Sequence, residues 1–340
     1  MASAAAAAAP KSPSLPWKTR LLVSLSSVCS DLVTRRNGTL NRRLFRFFDF
    51  KSAPNPVKPI HGVLSFDVIV DSSRNLSVRV FTPHSDAPSL PILVFFHGGG
   101  FAFLSNASFS YAAVCRRLAR RIPAVVLSVD YRLSPEHRFP CQYDDGFDVL
   151  RFLDHGNNTI GLLPPNADLS KCFLAGDSAG ANLAHHVSVR FSRQKSQFQK
   201  VKIIGLISIQ PFFGGVERME SETQLDPGYI VSLKRTDWLW RAFLPEGSDR
   251  DHSASNVSGP NAEAIAEVEE FPATVVFVAG FDPLKDRQRR YHEWLKESGK
   301  KVELIEYPNM IHAFYLFPEL PESSAMIDQV RSFVFKCMEA

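Results

Sequence analysis

The residue in this chain best suited to covalent chemistry is Ser178, in Gly176-Asp177-Ser178-Ala179-Gly180. Before it, Cys172 to Ala175 is a short apolar run of the kind found in a buried strand. After it, Leu183, Val187 and Phe191 recur at helical spacing, which predicts a helix from Ala179 to Phe191. G-x-S-x-G between a strand and a helix predicts a nucleophile elbow, a turn too tight for side chains at its flanks. The serine then stands clear of the sheet edge, at the positive end of a helix. A serine hydroxyl is a poor nucleophile until a base takes its proton. The rest of the chain must therefore supply a base, an acid to orient that base, and donors for an oxyanion.

On such an elbow the partners follow in chain order, acid and then histidine. Beyond residue 271 two histidines are available, His292 and His312. His292 sits mid-helix beside Tyr291 and Trp294, a structural setting. His312 follows the last apolar strand in Pro308-Asn309-Met310-Ile311-His312-Ala313-Phe314, and ligands meet parallel sheets at strand carboxyl ends. His312 is the expected base. Gly280-Phe281-Asp282-Pro283-Leu284-Lys285-Asp286 offers two acids. Asp282 lies nearer the strand end and is expected to accept from Nδ1–H of His312. Asp286 lies where a helix begins and is expected to be its N-cap. Oxyanion donors are expected from the amide of Ala179 and from Gly98, Gly99 and Gly100, in the loop after the apolar strand Pro91 to Phe96. The loop lacks the G-x-x-x-x-G-K-[ST] pattern of a phosphate cradle. Phe101, Phe103, Phe212, Phe213, Trp238 and Trp240 could line an apolar pocket, with core packing the alternative for each.

Strands and helices alternate around these residues. Val63 to Val70 and Leu76 to Phe81 predict an antiparallel pair. Continuous apolar runs at Pro91 to Phe96 and Ala124 to Val129 predict strands buried on both faces. Further strands are predicted at Val201 to Ile209, Thr274 to Ala279 and Lys301 to Tyr307. Helices are predicted at Ala112 to Arg121, Gln142 to Leu153, Asp286 to Ser298 and Met326 to Cys337. Such alternation implies a mainly parallel sheet with helices on both faces. Residues 212–271 break the pattern and are too long for a plain loop, so they predict a helical insertion over the strand ends. N-terminal helices within 17–59 complete the cap. One of them has Leu21, Leu22, Leu25, Val28 and Leu32 on a single face. Residues 1–16 read as a disordered tail, and residues 60–340 as one catalytic domain.

Composition excludes several other classes. The net charge is +4 over 340 residues, with no basic block of the nucleic-acid kind. No apolar run is long enough to span a bilayer. Cys29, Cys115, Cys141, Cys172 and Cys337 show no C-x-x-C spacing and no accompanying His cluster, which points to a reducing compartment and to no metal. The cytoplasm is expected, the nucleus also. The acid-free, Ala/Ser-rich N-terminus keeps a chloroplast alternative. The sequons at Asn37, Asn75, Asn106, Asn157 and Asn256 then read as fortuitous.

His97-Gly-Gly-Gly100, Tyr131-Arg-Leu-Ser-Pro-Glu-His137, Gly176-Asp-Ser-Ala-Gly180, Asp282 and His312 together resemble the hormone-sensitive-lipase-like branch of α/β-hydrolases, plant carboxylesterases above all. The resemblance runs from about residue 18 to the C-terminus. It implies an α/β-hydrolase fold with a helical cap, a Ser178, Asp282 and His312 triad, and oxyanion donors from Gly99, Gly100 and Ala179. It implies hydrolysis of small carboxylic esters without metal or cofactor, by a monomer or weak homodimer. The Tyr131–His137 block is implied to be architectural, with a supporting role for Glu136. Gibberellin receptors of the same branch look similar, but their triad histidine is replaced and they carry serine where Gly100 stands. Related dehydratases, some with threonine at the nucleophile position, are a third possibility on the same scaffold.

Overall fold

The computed structural model describes residues 12–155 and 162–339. Residues 1–11 of the expected tail, and the sequon Asn157, lie outside them. The apolar runs become the centre of one nine-stranded sheet, in the order β1-β2-β3-β5-β4-β6-β7-β8-β9. The strands are β1 (Asn55–Ile60), β2 (Val63–Asp71), β3 (Leu76–Pro83), β4 (Leu90–Phe96) and β5 (Val125–Asp130). They continue with β6 (Ala167–Asp177), β7 (Ile203–Ile209), β8 (Ala273–Ala279) and β9 (Val302–Tyr307). β1, β2 and β3 run antiparallel, and β3 joins β5 antiparallel. From β5 through β4, β6, β7 and β8 to β9 every pairing is parallel. All those strands therefore deliver their carboxyl ends to one rim.

Alternation along β4 divides the core in two. Ile92, Val94 and Phe96 face one cluster, together with Phe147 and Leu150 of α4 (Cys141–His155), Leu183 and Val187 of α5 (Ala179–Arg193), and Leu295 of α8 (Lys285–Glu297). Leu93 and Phe95 face the other, with Leu118 of α3 (Phe109–Arg121) and Met326 and Val330 of α9 (Pro321–Glu339). A strand buried on both faces needs no polar alternation, which is why β4 reads as a solid apolar run.

The N-terminal segment departs from expectation in three places. Leu15 is buried in the second cluster, so the expected tail is packed at its C-terminal end. Helix α1 (Trp17–Val33) forms, but its leucine face points outward: Leu21, Leu25 and Leu32 are 51–61% exposed. The buried side carries Thr19, Val23, Cys29 and Val33. Its polar groups bond the body, Thr19 donating to Glu319 at 2.6 Å and Asp31 pairing with Arg235 at 2.9 Å. Those partners are remote in sequence, and helical periodicity alone cannot reveal them. The third departure is β1, a strand where only helices were expected; it is a Pro-containing edge strand, for which pattern is weak.

α2 (Arg42–Phe45) is a single turn. Arg42 pairs with Glu136 at 2.6 Å and also donates to the carbonyls of Ser134 and Ala102, so Glu136 anchors the N-terminal segment. The insertion contains α6 (Glu220–Gln224) and α7 (Leu233–Phe243), with no strand. α7 packs on the N-terminal segment through Trp238 and Ala242 against Cys29, Val33 and Leu40. Among the described residues no helix is long and apolar enough to cross a membrane.

A very tight backbone approach lies at the start of α5. A Cβ on Gly180 would fall 2.0 Å from the carbonyl oxygen of Phe96, and one on Gly176 would fall 2.3 Å from that of Gly180. Backbone cannot swing aside as a side chain can. Gly180→Ala should cost at least roughly 1–3 kcal/mol, the ordinary penalty for overpacking. Equilibrium urea unfolding of this variant beside the wild type checks it; equal midpoints would contradict the packing described.

Candidate active site

β6 ends at Asp177 and α5 begins at Ala179, which leaves Ser178 alone in the turn. Its φ of 51° and ψ of −119° are unusual for a residue with a side chain. The Ser178 amide donates to the carbonyl of Ile209 at 2.9 Å, fixing the elbow to the end of β7. Ala179 heads α5, so its N–H has no carbonyl within the helix to bond and is free to face a ligand.

The glycine loop after β4 is held by a buried acid, Asp177, to which the sequence alone assigns no role. Gly98 N–H lies 2.8 Å from Asp177 Oδ1 and 2.8 Å from the Tyr111 hydroxyl, and that hydroxyl donates to Asp177 Oδ2 at 2.8 Å. The Gly98 amide is thus committed, which corrects its expected place among the oxyanion donors. Gly99 and Gly100 follow with positive φ, and the Gly99 carbonyl accepts from Ala102 and Phe103. Burial pushes Asp177 up to about 6, although the bond from Tyr111 pulls the other way. His97 stacks on Tyr131 at 4.3 Å and its Nδ1 donates to the Gly98 carbonyl at 2.8 Å. Burial lowers His97 to about 4, so it is a neutral prop for the loop. The clue to Asp177 was its place beside the serine, on the opposite pleat and facing the loop.

After β8, Asp282 is fully buried and accepts three bonds. Its Oδ2 takes His312 Nδ1 at 2.6 Å and Gln288 Nε2 at 2.8 Å, and its Oδ1 takes the Leu284 amide at 2.9 Å. His312 follows β9 and is 5% exposed. Burial by itself would lower its pKa; the charge and hydrogen bond of Asp282 outweigh that, and Asp177 adds to them, so the net shift is upward from 6.5. The Ala313 amide donates to the side chain of Gln210, which follows β7, and the Ser178 amide donates to the carbonyl of Ile209, so the His312 loop and the elbow both meet the end of β7. Among the described residues Ser178 Oγ makes no hydrogen bond, and such contacts commonly tighten only with substrate bound.

The rival acid and base are accounted for elsewhere. Asp286 is not the N-cap of α8; that residue is Leu284, and Asp286 accepts from the Ser221 amide at 2.8 Å, tying the insertion to α8. His292 lies within α8 with Nδ1 at 3.1 Å from Glu293. His185 and His186, on α5 just after the serine, face Tyr291 and Tyr143, and burial holds both far below the usual range.

The aromatic residues expected at a pocket pack mainly against one another. Phe101 stacks on Phe243 at 3.8 Å and Phe212 on Trp240 at 4.2 Å, all four buried. Trp238 donates its indole N–H to the Arg35 carbonyl at 2.9 Å and packs beside Phe103. Trp238 therefore fastens the insertion to the N-terminal segment, which corrects its expected role as a pocket wall. The physical reason is its N–H, which finds a carbonyl partner in a segment 203 residues away.

A nine-stranded, mostly parallel sheet with a serine elbow at its rim defines an α/β hydrolase. A family profile described as alpha/beta hydrolase fold matches residues 93–316. Gibberellin receptor GID1C of Arabidopsis thaliana is 40% identical, over 94% of this chain and 94% of the receptor. Probable carboxylesterase 8 of the same plant is 38% identical, over 88% of this chain and 92% of its own length. The hyperthermophilic esterase of the archaeon Pyrobaculum calidifontis superposes with a TM-score of 0.74 at 25% identity, covering 96% of this chain and 99% of that one. The chain belongs to the α/β-hydrolase family, in the hormone-sensitive-lipase-like branch that includes plant carboxylesterases and gibberellin receptors.

The shift on His312 carries a sign that can be read without any substrate. Its imidazole should titrate above 6.5, and removing the facing charge in Asp282→Asn should move the midpoint down. NMR titration of the His312 ring in both proteins checks this. A midpoint at or below 6.5 in the wild type, unmoved by the substitution, would contradict the pairing.

Proposed function

We propose that this protein is a serine carboxylesterase acting on small esters with short acyl or aromatic groups. The observation that carries the reading is the buried 2.6 Å pair of His312 and Asp282, on the loops that follow β9 and β8 at the same sheet rim as the elbow serine. Ser178 Oγ attacks the ester carbonyl carbon while its proton passes to His312 Nε2. Asp282 holds the ring through Nδ1 and offsets the charge of the imidazolium. Gly99, Gly100 and Ala179 amides receive the oxyanion, and each such donor lowers the barrier by roughly 2.7–4 kcal/mol. The ester C–O bond then breaks and His312 returns the proton to the departing alcohol. Water attacks the acyl-serine, giving its proton to His312. Collapse of this second intermediate releases the acid, and the proton returns to Ser178.

Gly100 also bears on the substrate. A Cβ there would meet Leu239 Cδ1 of α7 at 2.4 Å, so the insertion closes over the glycine loop with an apolar side chain. An ester with a compact acyl group suits such a wall. The five cysteines are all free, which supports a reducing compartment such as the cytoplasm.

The 40% identity to gibberellin receptor GID1C favours a second reading, a ligand receptor that retains the site. Assays separate the two. Ser178→Ala should lose at least about 1,000-fold in turnover of p-nitrophenyl acetate while folding normally. In the wild type, kcat/KM should climb with pH through an apparent pKa above 6.5, because only neutral His312 can act as base. Undiminished hydrolysis by Ser178→Ala would refute the mechanism. Gibberellin binding by calorimetry with no ester turnover would establish the receptor reading instead.

A further inference from the structure

Gln210, the residue directly after β7, is 1% exposed and has a left-handed backbone with φ of 45°. Positive φ is uncommon for a residue with a side chain, and holding one requires compensation from its surroundings. The compensation here runs to the loop that carries His312. The Gln210 side-chain oxygen accepts from the Ala313 amide at 2.7 Å, and its side-chain nitrogen donates to the Ile311 carbonyl at 3.2 Å. One carboxamide thus grips the backbone on both sides of His312. Ala313 is itself left-handed, with φ of 60°. Asp282 orients the ring through Nδ1, but a single ring contact cannot fix where the peptide carrying the ring sits.

The other end of the link reaches the serine. Ile209, covalently joined to Gln210, accepts the Ser178 amide at 2.9 Å, while the Gln210 amide donates to the Phe277 carbonyl of β8 at 2.9 Å. Two consecutive residues therefore register the elbow, the neighbouring strand and the histidine loop. We propose that Gln210 is a positioning residue that sets the distance between Ser178 Oγ and His312 Nε2. The proposal rests on the esterase reading above. Glutamine suits the task because the loop offers one N–H and one C=O, and a carboxamide answers both. Misplacing reacting atoms by about 1 Å can cost 100-fold in rate.

The test uses Gln210→Met, which keeps length and loses both bonds, and Gln210→Glu, which keeps the acceptor only. Sites are counted by exhaustive fluorophosphonate labelling, and kcat and KM for p-nitrophenyl acetate are expressed per labelled serine. Gln210→Met should lose roughly 10- to 100-fold in kcat with KM within about twofold. Gln210→Glu should fall between it and the wild type, and stands in if Gln210→Met fails to fold. The NMR resonance of the His312 Nδ1 proton, shared with Asp282, should shift or broaden in both variants. A merely structural residue would lower the labelled fraction or the unfolding midpoint and leave kcat per labelled serine unchanged. That result, with an unmoved Nδ1 resonance, would overturn the proposal. A wild type without turnover or labelling would defeat the esterase reading, and the resonance would still decide whether Gln210 positions His312.

Discussion

The first turn of α5 lies so close to the ends of β4 and β6 that no side chain fits between them. That contact sets the geometry of everything at the rim. It forces the serine into its strained conformation, brings the helix N-terminus beside the glycine loop, and puts Asp177 within reach of Gly98. Because the clash would be with backbone oxygens, relief would require moving a strand of the core, which is packed on both faces.

Around that contact the site uses buried polar groups with different tasks. Asp177 ties down the loop, His97 props it as a neutral ring, and Asp282 faces His312 across 2.6 Å. The two buried carboxylates are costly to desolvate and are retained because several hydrogen bonds meet each of them. Asp282 accepts from three donors contributed by α8, the turn before it and the loop after β9, so its place is over-determined. Such redundancy suits a charge that has to hold one orientation.

The N-terminal segment and the insertion, distant in the chain, are joined to each other. The N-terminal segment is bonded to the insertion by Asp31 with Arg235 and by Trp238 with the Arg35 carbonyl, and to the main body by Arg42 with Glu136. Leu239 then reaches down to the glycine loop. The N-terminal segment and the insertion are thus tied to each other beside the glycine loop, and the leucine stripe of α1 is left on the outer surface.

Local patterns determined a great deal here. Apolar runs marked the buried strands, G-x-S-x-G between strand and helix marked the elbow, and chain order with position at strand ends pointed to Asp282 and His312, which pair at 2.6 Å. These are legible because strand burial, tight turns and connection order depend on neighbours in sequence. Tertiary structure decided the rest: which side of α1 is buried, that Gly98 is spent on Asp177, that Asp286 bonds Ser221, that Trp238 packs on the N-terminal segment, and that Gln210 grips the histidine loop. In every one of those cases the partner lies tens to hundreds of residues away. A hydrogen bond is set by where two groups meet in space, and periodicity along the chain does not encode that meeting.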